Sequence, residues 1–96
     1  MEQTANGIPV SLRAAFQEYT LEQLHPQEDQ FTVIERTLAF GDRDELRWLF
    51  AYFGHAAVYD WCAGYGHRIL PRRRSLFWAT YFDLPPQPPR NGAWKH

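Results

Sequence analysis

Cysteine and long apolar runs are nearly missing from this 96-residue chain. Cys62 is the single cysteine, which excludes an internal disulfide and a cysteine-rich zinc site. No run approaches the roughly 18–20 apolar residues that cross a bilayer, and Met1–Val10 lacks the basic and then apolar order of a secretory leader. We therefore expect a soluble cytoplasmic protein that makes no membrane contact.

An excess of one charge is also missing, since ten Lys and Arg face eleven Asp and Glu and leave a net charge of −1. The two ends differ, however. Residues 1–60 carry four Arg and ten acids, whereas residues 61–96 carry six Lys or Arg and Asp83 alone. This asymmetry is typical of a face that attaches to an acidic protein or nucleic acid. A dipolar surface that only aids solubility explains it equally well.

Catalytic patterns are absent from the sequence. It has no glycine-rich phosphate loop, no Gly-x-Ser-x-Gly turn and no paired-histidine metal motif. Cys62 precedes His67 by five residues, but it shares an apolar stripe with Val58 and Tyr65, as a core cysteine does. We therefore predict no catalytic residue, no metal and no cofactor.

Hydrophobic periodicity predicts an all-α fold, because the sequence has neither alternating β-branched runs nor a hairpin signal. We expect one compact bundle of about four to five short helices over residues 11–83, since this length suits a single core. Residues 1–10 are predicted to form a flexible N-terminal arm. Residues 84–96 are predicted to form a Pro-rich extended tail, since Pro85–Pro89 favours polyproline geometry.

Local signals in the first half predict a short helix at Ser11–Tyr19. A single turn should follow Thr20, whose side chain is placed to accept a hydrogen bond from the Gln23 amide. Pro26 suits the first position of the next helix. That helix repeats apolar residues at helical spacing: Phe31, Val33, Ile34, Leu38 and Phe40.

Glycines divide the second half of the chain. Gly41 is predicted to end its helix in the left-handed conformation, and Asp42 with Glu45 forms a capping-box pattern for a helix at Arg43–Phe53. After Gly54, a helix is expected at Ala56–Tyr65 that Gly64 and Gly66 would end. Pro71 is placed to begin a last helix that runs to about Phe82.

Two groups of side chains are candidates for contact with a partner. Trp48 and Tyr52 form a second apolar stripe on their helix, which is typical of a central helix or of one exposed to a partner, and the central position is favoured. The run Arg72, Arg73 and Arg74 lies where a helix dipole opposes positive charge. We expect compensation by an acidic patch in the first half of this chain, by an acidic partner or by phosphate. The six candidates are Trp48, Tyr52, Arg68, Arg72, Arg73 and Arg74.

The middle of the chain also carries a resemblance. Phe31-Thr-Val-Ile-Glu-Arg-Thr-Leu-Ala-Phe-Gly-Asp42, Leu46-Arg-Trp-Leu-Phe50, Tyr52-Phe-Gly54, Leu70-Pro-Arg-Arg and Phe77-Trp78 resemble a family of small uncharacterised bacterial proteins described as antitoxin-like. The resemblance covers roughly Leu24–Phe82, with Phe53 where the family usually has Tyr. It implies a helical domain without catalysis, often encoded beside a nucleotidyltransferase-like toxin of the abortive-infection type. It carries over no catalytic residue.

These observations lead to two hypotheses. The first is a non-catalytic, antitoxin-like module that binds a protein partner, such as a nucleotidyltransferase-like toxin, and neutralises or regulates it. The second is a small DNA-binding transcriptional regulator that uses the Arg72–Phe82 helix as the reading helix of a helix-turn-helix. The connection before this helix is expected to be longer than the usual turn, and the net charge of −1 disfavours strong phosphate binding.

Overall fold

The structure is a computed structural model that describes residues 1–85, and these residues are mainly helical. The α-helices are α1 (Gln30–Phe40), α2 (Arg43–Phe53), α3 (His55–Trp61), α4 (His67–Ile69) and α5 (Arg72–Tyr81). Two 3-10 helices, Val10–Phe16 and Leu21–Gln23, precede α1, and a π-helical turn, Cys62–Gly66, joins α3 to α4. Since residues 1–85 contain no strand, the all-α prediction is confirmed. Of the predicted tail, residues 86–96 lie outside the described residues.

No helix within residues 1–85 combines the length and the apolar character needed to cross a membrane.

Residues 1–10 pack against the domain, so the prediction of a flexible arm is wrong. Ile8 is fully buried in the core. The Asn6 side-chain amide donates to the carbonyl oxygens of Glu22 and Leu24 at 2.8 and 2.9 Å. Ile8 is an isolated apolar residue in a polar stretch, and a single residue produces no periodic signal. The segment is therefore held by contacts distant in sequence.

The helix predicted at Ser11–Tyr19 forms as the 3-10 helix Val10–Phe16, which buries Leu12 and Phe16. The predicted cap on the next turn does not form. The Gln23 amide donates to the Thr20 backbone oxygen at 2.9 Å, and the Thr20 side chain makes no capping bond. Both short helices turn their apolar residues into the core.

Helix α1 begins at Gln30, four residues later than predicted from Pro26. The Asp29 carboxylate accepts from the His25 amide at 3.0 Å and the Asp29 amide donates to the His25 oxygen at 2.7 Å, so a separate turn precedes the helix. Of the predicted apolar stripe, Val33, Ile34 and Leu38 are buried. Phe31 and Phe40, at the two ends of α1, are 41% and 60% exposed.

Gly41 ends α1 in an extended conformation (φ −71°, ψ 150°), so the predicted left-handed conformation is wrong. The position still requires glycine, because an added Cβ would lie 2.5 Å from the Thr37 carbonyl oxygen. The capping box that follows is confirmed. The Glu45 amide donates to Asp42 at 3.0 Å, and the Asp42 amide donates to Glu45 at 2.8 Å. Helix α2 then has the predicted bounds.

The helical segment that begins after Gly54 continues through Gly64 and Gly66. The prediction that Gly64 and Gly66 end a helix is wrong, since α3, the π-helical turn and α4 run from His55 to Ile69 without a break. Both glycines lie in the π-helical turn, and neither has a positive φ. Leu70 and Pro71 then connect α4 to α5, so the connection is shorter than predicted.

The core combines side chains from every long helix and from the N-terminal segment. Its fully buried members include Ile8, Leu12, Phe16, Leu21, Val33, Ile34, Leu38, Leu49 and Val58. Each such side chain contributes about 1.5–3 kcal/mol through burial. Trp78 of α5 and Phe82, directly after the helix, complete this core. Their ring centroids lie 5.9 and 6.1 Å from that of Phe50.

Candidate interaction surface

The two aromatic candidates occupy different environments. Trp48 is 8% exposed and packs against Tyr52 and Phe53, at ring-centroid distances of 5.5 and 6.2 Å. This burial agrees with the central position favoured from the sequence and leaves little of Trp48 accessible to a partner. Tyr52 is 39% exposed, and the N-terminal segment approaches it, since an added Cβ on Gly7 would lie 3.9 Å from its ring. On α2, Trp48 is therefore shielded by neighbouring aromatic rings, and Tyr52 lies partly exposed near the N-terminal segment.

Arg74 has a structural role that separates it from its two neighbours. Its guanidinium donates to the Leu38 oxygen at 3.0 Å and twice to the Gly41 oxygen at 3.2 Å. The Trp78 indole donates to the same Leu38 oxygen at 3.3 Å. Carbonyl groups at a helix C-terminus lack partners within the helix, so Arg74 supplies donors where α1 needs them.

Arg68 lies on α4 and is held against its own helical segment. It donates to the Gly64 oxygen at 3.3 Å, and its guanidinium carbon lies 5.6 Å from the centre of the Tyr65 ring. The structure therefore places Arg68 on α4, beside an aromatic ring and on a different helix from Arg72, Arg73 and Arg74.

Arg72 and Arg73 are exposed in the first turn of α5. The side chain of neither residue forms a hydrogen bond or an ion pair with another residue of the described part of the chain. The α5 dipole opposes their charge by about 0.3–1 kcal/mol for each exposed cation. The compensating acid expected from the sequence is therefore not supplied by residues 1–85.

The outer face of α5 presents a stripe that the sequence interpretation did not separate from the core. Its members recur at helical spacing and line one shallow depression: Arg73, Leu76, Phe77, Thr80 and Tyr81, named here the α5 stripe. Leu76, Phe77 and Tyr81 are 57%, 55% and 56% exposed. Trp78 and Phe82, one position further along the helix, face the core instead. Periodicity shows two apolar stripes on α5 but cannot tell which one is buried.

The apolar rings of the α5 stripe pack against one another and against the core. Phe77 and Tyr81 lie nearly parallel, with an interplanar angle of 16° and ring centroids 6.5 Å apart. The Trp78 ring lies nearly perpendicular to both, with centroid distances of 4.9 and 5.3 Å. Because buried Trp78 supports them, the exposed rings form a preorganised apolar surface.

Comparison with known proteins finds a family match for residues 12–61. A family of unknown function, DUF6922, matches residues 12–61, which is more than half of the sequence. The chain belongs to the DUF6922 family. Neither the curated proteins nor the solved structures contain a match to it. The matched region of this DUF6922 member extends from the first 3-10 helix to α3 and stops before the α5 stripe.

Other features of this DUF6922 member are explained by structure alone. Cys62 is 4% exposed, and burial raises the pKa of its thiol to about 12, so the predicted core role is confirmed. Within residues 1–85, His, Cys, Asp and Glu side chains form no group of three that could hold a metal ion. A second surface groove contains Arg36 and Phe40, but Arg36 already binds Glu18 and the Ala15 oxygen.

Proposed function

We propose that this protein is a non-catalytic interaction module of the bacterial cytoplasm that binds a toxin encoded by a neighbouring gene and neutralises or regulates it. The observation that carries the proposal is the α5 stripe, where three large apolar side chains are more than half exposed beside Arg73. The choice of a nucleotidyltransferase-like toxin as partner follows from the resemblance of residues 24–82 described above.

The composition of the stripe favours a protein as the bound partner. Aromatic residues and arginine are enriched at the centres of protein interfaces and supply most of their binding energy. Phe77, Tyr81 and Arg73 provide both kinds of side chain on one face. The face is shallow rather than enclosed, which suits another protein surface more than a small molecule.

DNA binding is the second hypothesis, and the exposed Arg72 and Arg73 at the start of α5 favour it. A recognition helix reads bases with polar side chains on its exposed face. Beyond Arg73, however, the exposed face of α5 continues with Leu76 and Phe77. The two-residue connection before α5 is also shorter than the turn of about 3–4 residues in a helix-turn-helix. These features favour the protein partner.

Co-expression with the product of the adjacent gene tests the proposal directly. We expect a stoichiometric complex when the purified material is sized by light scattering. Phe77→Ser should weaken that complex at least about tenfold, since interface aromatics commonly contribute more than 1.4 kcal/mol. Phe40→Ser is the matched control, because Phe40 is 60% exposed on α1 and lines a different groove. Equal effects of the two substitutions, or no complex with the unmodified chain, would contradict the proposal.

Charge reversal tests the protein contact, and a salt titration separates it from DNA binding. Arg73→Glu should weaken the protein complex without changing the helical signal in circular dichroism, since the Arg73 side chain is exposed. If the chain instead binds DNA, affinity should fall steeply with added salt, because phosphate contacts release counterions. Salt-dependent DNA binding without a protein complex would favour the second hypothesis.

A further inference from the structure

The charges at both ends of α5 oppose its own dipole. Arg72 and Arg73 occupy the first turn, where backbone N–H groups are already positive. Asp83 follows the last turn, where backbone carbonyls are already negative. All three side chains are exposed, and none forms a hydrogen bond or ion pair within residues 1–85. Helix α5 thus carries the reverse of the charge pattern that would stabilise it.

The backbone conformation of Asp83 adds a further free-energy cost to an aspartate at this position. Asp83 has a φ of 56°, the left-handed conformation that favours glycine, and it is the sole non-glycine residue in 1–85 with a positive φ. The Asp83 amide donates to Thr80 at 3.2 Å and the Leu84 amide to Ala79 at 2.8 Å, which is the Schellman ending of a helix. Leu84 packs against the core and holds this turn in place. Asp83 therefore occupies a position where glycine would cost less.

A second copy of the chain can supply the opposite charge that each end of α5 lacks. We propose that α5 pairs antiparallel with α5 of another copy, about a two-fold axis beside Phe77. The Arg72 and Arg73 end of each helix then lies next to Asp83 and the C-terminal carbonyls of the other. The α5 stripe supplies the contact between them, since residues at i, i+3, i+4, i+7 and i+8 form the seam of packed helices.

The dimer is expected to be weak and reversible. The stripe extends over eight residue steps from Arg73 to Tyr81, about 12 Å at 1.5 Å per residue. A contact of this length buries little surface, and small interfaces are typical of weak and transient association. Association should therefore depend on concentration over the micromolar range.

The pairing and the proposed function concern the same stripe but can fail separately. A partner protein that binds the α5 stripe would replace the second copy. Light scattering on the chain alone tests the pairing, and co-purification with the neighbouring gene product tests the function. A monomer that captures the partner overturns the pairing only, and a dimer without a partner overturns the function only.

The first measurement is sedimentation of the purified chain between about 5 and 500 μM, where dimers with micromolar dissociation constants are resolved. We expect the mean mass to rise above the 11.3 kDa of one chain as concentration increases. A mass of one chain across the whole range overturns the pairing. Phe77→Ser should keep the chain monomeric, whereas Phe40→Ser should not.

A charge exchange tests the antiparallel arrangement itself. Arg73→Glu places Glu against Asp83 of the other copy, and Asp83→Arg places Arg against Arg73, so each variant alone should dissociate about tenfold more readily. An equal mixture of the two variants should recover association, because each mixed pair again joins opposite charges. Arg47→Glu and Asp60→Arg are matched controls on α2 and α3. A mixture that associates no better than the separate variants overturns the arrangement.

Asp83→Gly provides a second and independent test. The substitution relieves the left-handed backbone and removes the charge, so the isolated chain should resist urea better while its dimer dissociates more readily. If Asp83 has only a structural role, the substitution should raise stability and leave dimer affinity unchanged. Dimer affinity that stays the same or rises would therefore show that Asp83 is not a contact between copies.

Discussion

At the scale of single residues, Arg74 shows how neighbours in one basic run acquire different roles. Arg72 and Arg73 extend into solvent, whereas Arg74 donates to backbone oxygens of Leu38 and Gly41, more than 30 residues earlier in the chain. The run Arg72–Arg74 contains no sign of this difference. It arises because position 74 shares a helical face with Trp78, which is buried.

Arg74→Gln should lower the free energy of unfolding by about 1–3 kcal/mol, because hydrogen bonds to a charged donor are lost at partly buried carbonyl groups. Urea denaturation followed by circular dichroism measures the change. Arg47→Gln, on the exposed side of α2, should alter stability by less than about 0.5 kcal/mol. If Arg74→Gln is as mild as this control, the capping contact contributes nothing.

At the scale of elements, the bounds of α2 were predictable and those of α3 were not. Asp42 and Glu45 begin α2 through contacts within four residues, and Gly54 (φ 90°) ends it, so local signals suffice. Gly64 and Gly66 were expected to end the next helix, yet the chain passes through both. Leu70, which directly follows this helical segment, is 3% exposed. Its burial favours a helix that continues to Ile69. Tertiary packing thus outweighs the low helix propensity of glycine.

Gly64→Ala should raise the free energy of unfolding by up to about 1 kcal/mol. Gly64 has no positive φ, and an added Cβ would meet no atom within 4 Å. Gly41→Ala should instead destabilise the protein, because its Cβ would lie 2.5 Å from the Thr37 oxygen. Parallel urea titrations compare the two. Stabilisation by Gly41→Ala would show that α1 can end differently.

Across the whole molecule, one ion pair attaches the N-terminal third to α1, and a second pair joins two helices within that third. Arg36 on α1 binds Glu18 and also donates to the Ala15 oxygen at 2.9 Å. Arg13 binds Glu22 across the turn between the two 3-10 helices. In each pair the arginine hydrogen bond lowers the pKa of the glutamate to about 2. Both carboxylates are exposed, so solvent screens their contribution.

These lowered pKa values predict a loss of stability in acid. A glutamate whose pKa is lower in the folded chain stabilises the fold above its ordinary pKa of about 4.5. The contribution decreases as pH falls from there towards 2. Urea midpoints measured from pH 6 to pH 2 should fall more in the unmodified chain than in Glu18→Gln combined with Glu22→Gln. Glu28→Gln, an exposed acid with no ion pair in residues 1–85, is the control, and an identical slope in all three chains would contradict the prediction.

The candidate surface was less predictable than the helices. The sequence pointed to the last helix and its arginines, but it also selected Trp48, which is buried, and it did not distinguish Phe77 from Trp78 as exposed and buried. A helix with apolar residues on two sides has two possible orientations. Only the elements packed against it decide between them.

Sequence patterns alone predict the helical class, the capping box at Asp42 and Glu45, and the burial of Cys62. Each of these depends on periodicity or on contacts within a few residues, which a linear pattern records. The tertiary structure decided the burial of Ile8, the attachment of Arg74 to α1 and the exposure of the α5 stripe. Those features depend on which surfaces meet after the chain has folded, and that information is spread over residues far apart in sequence.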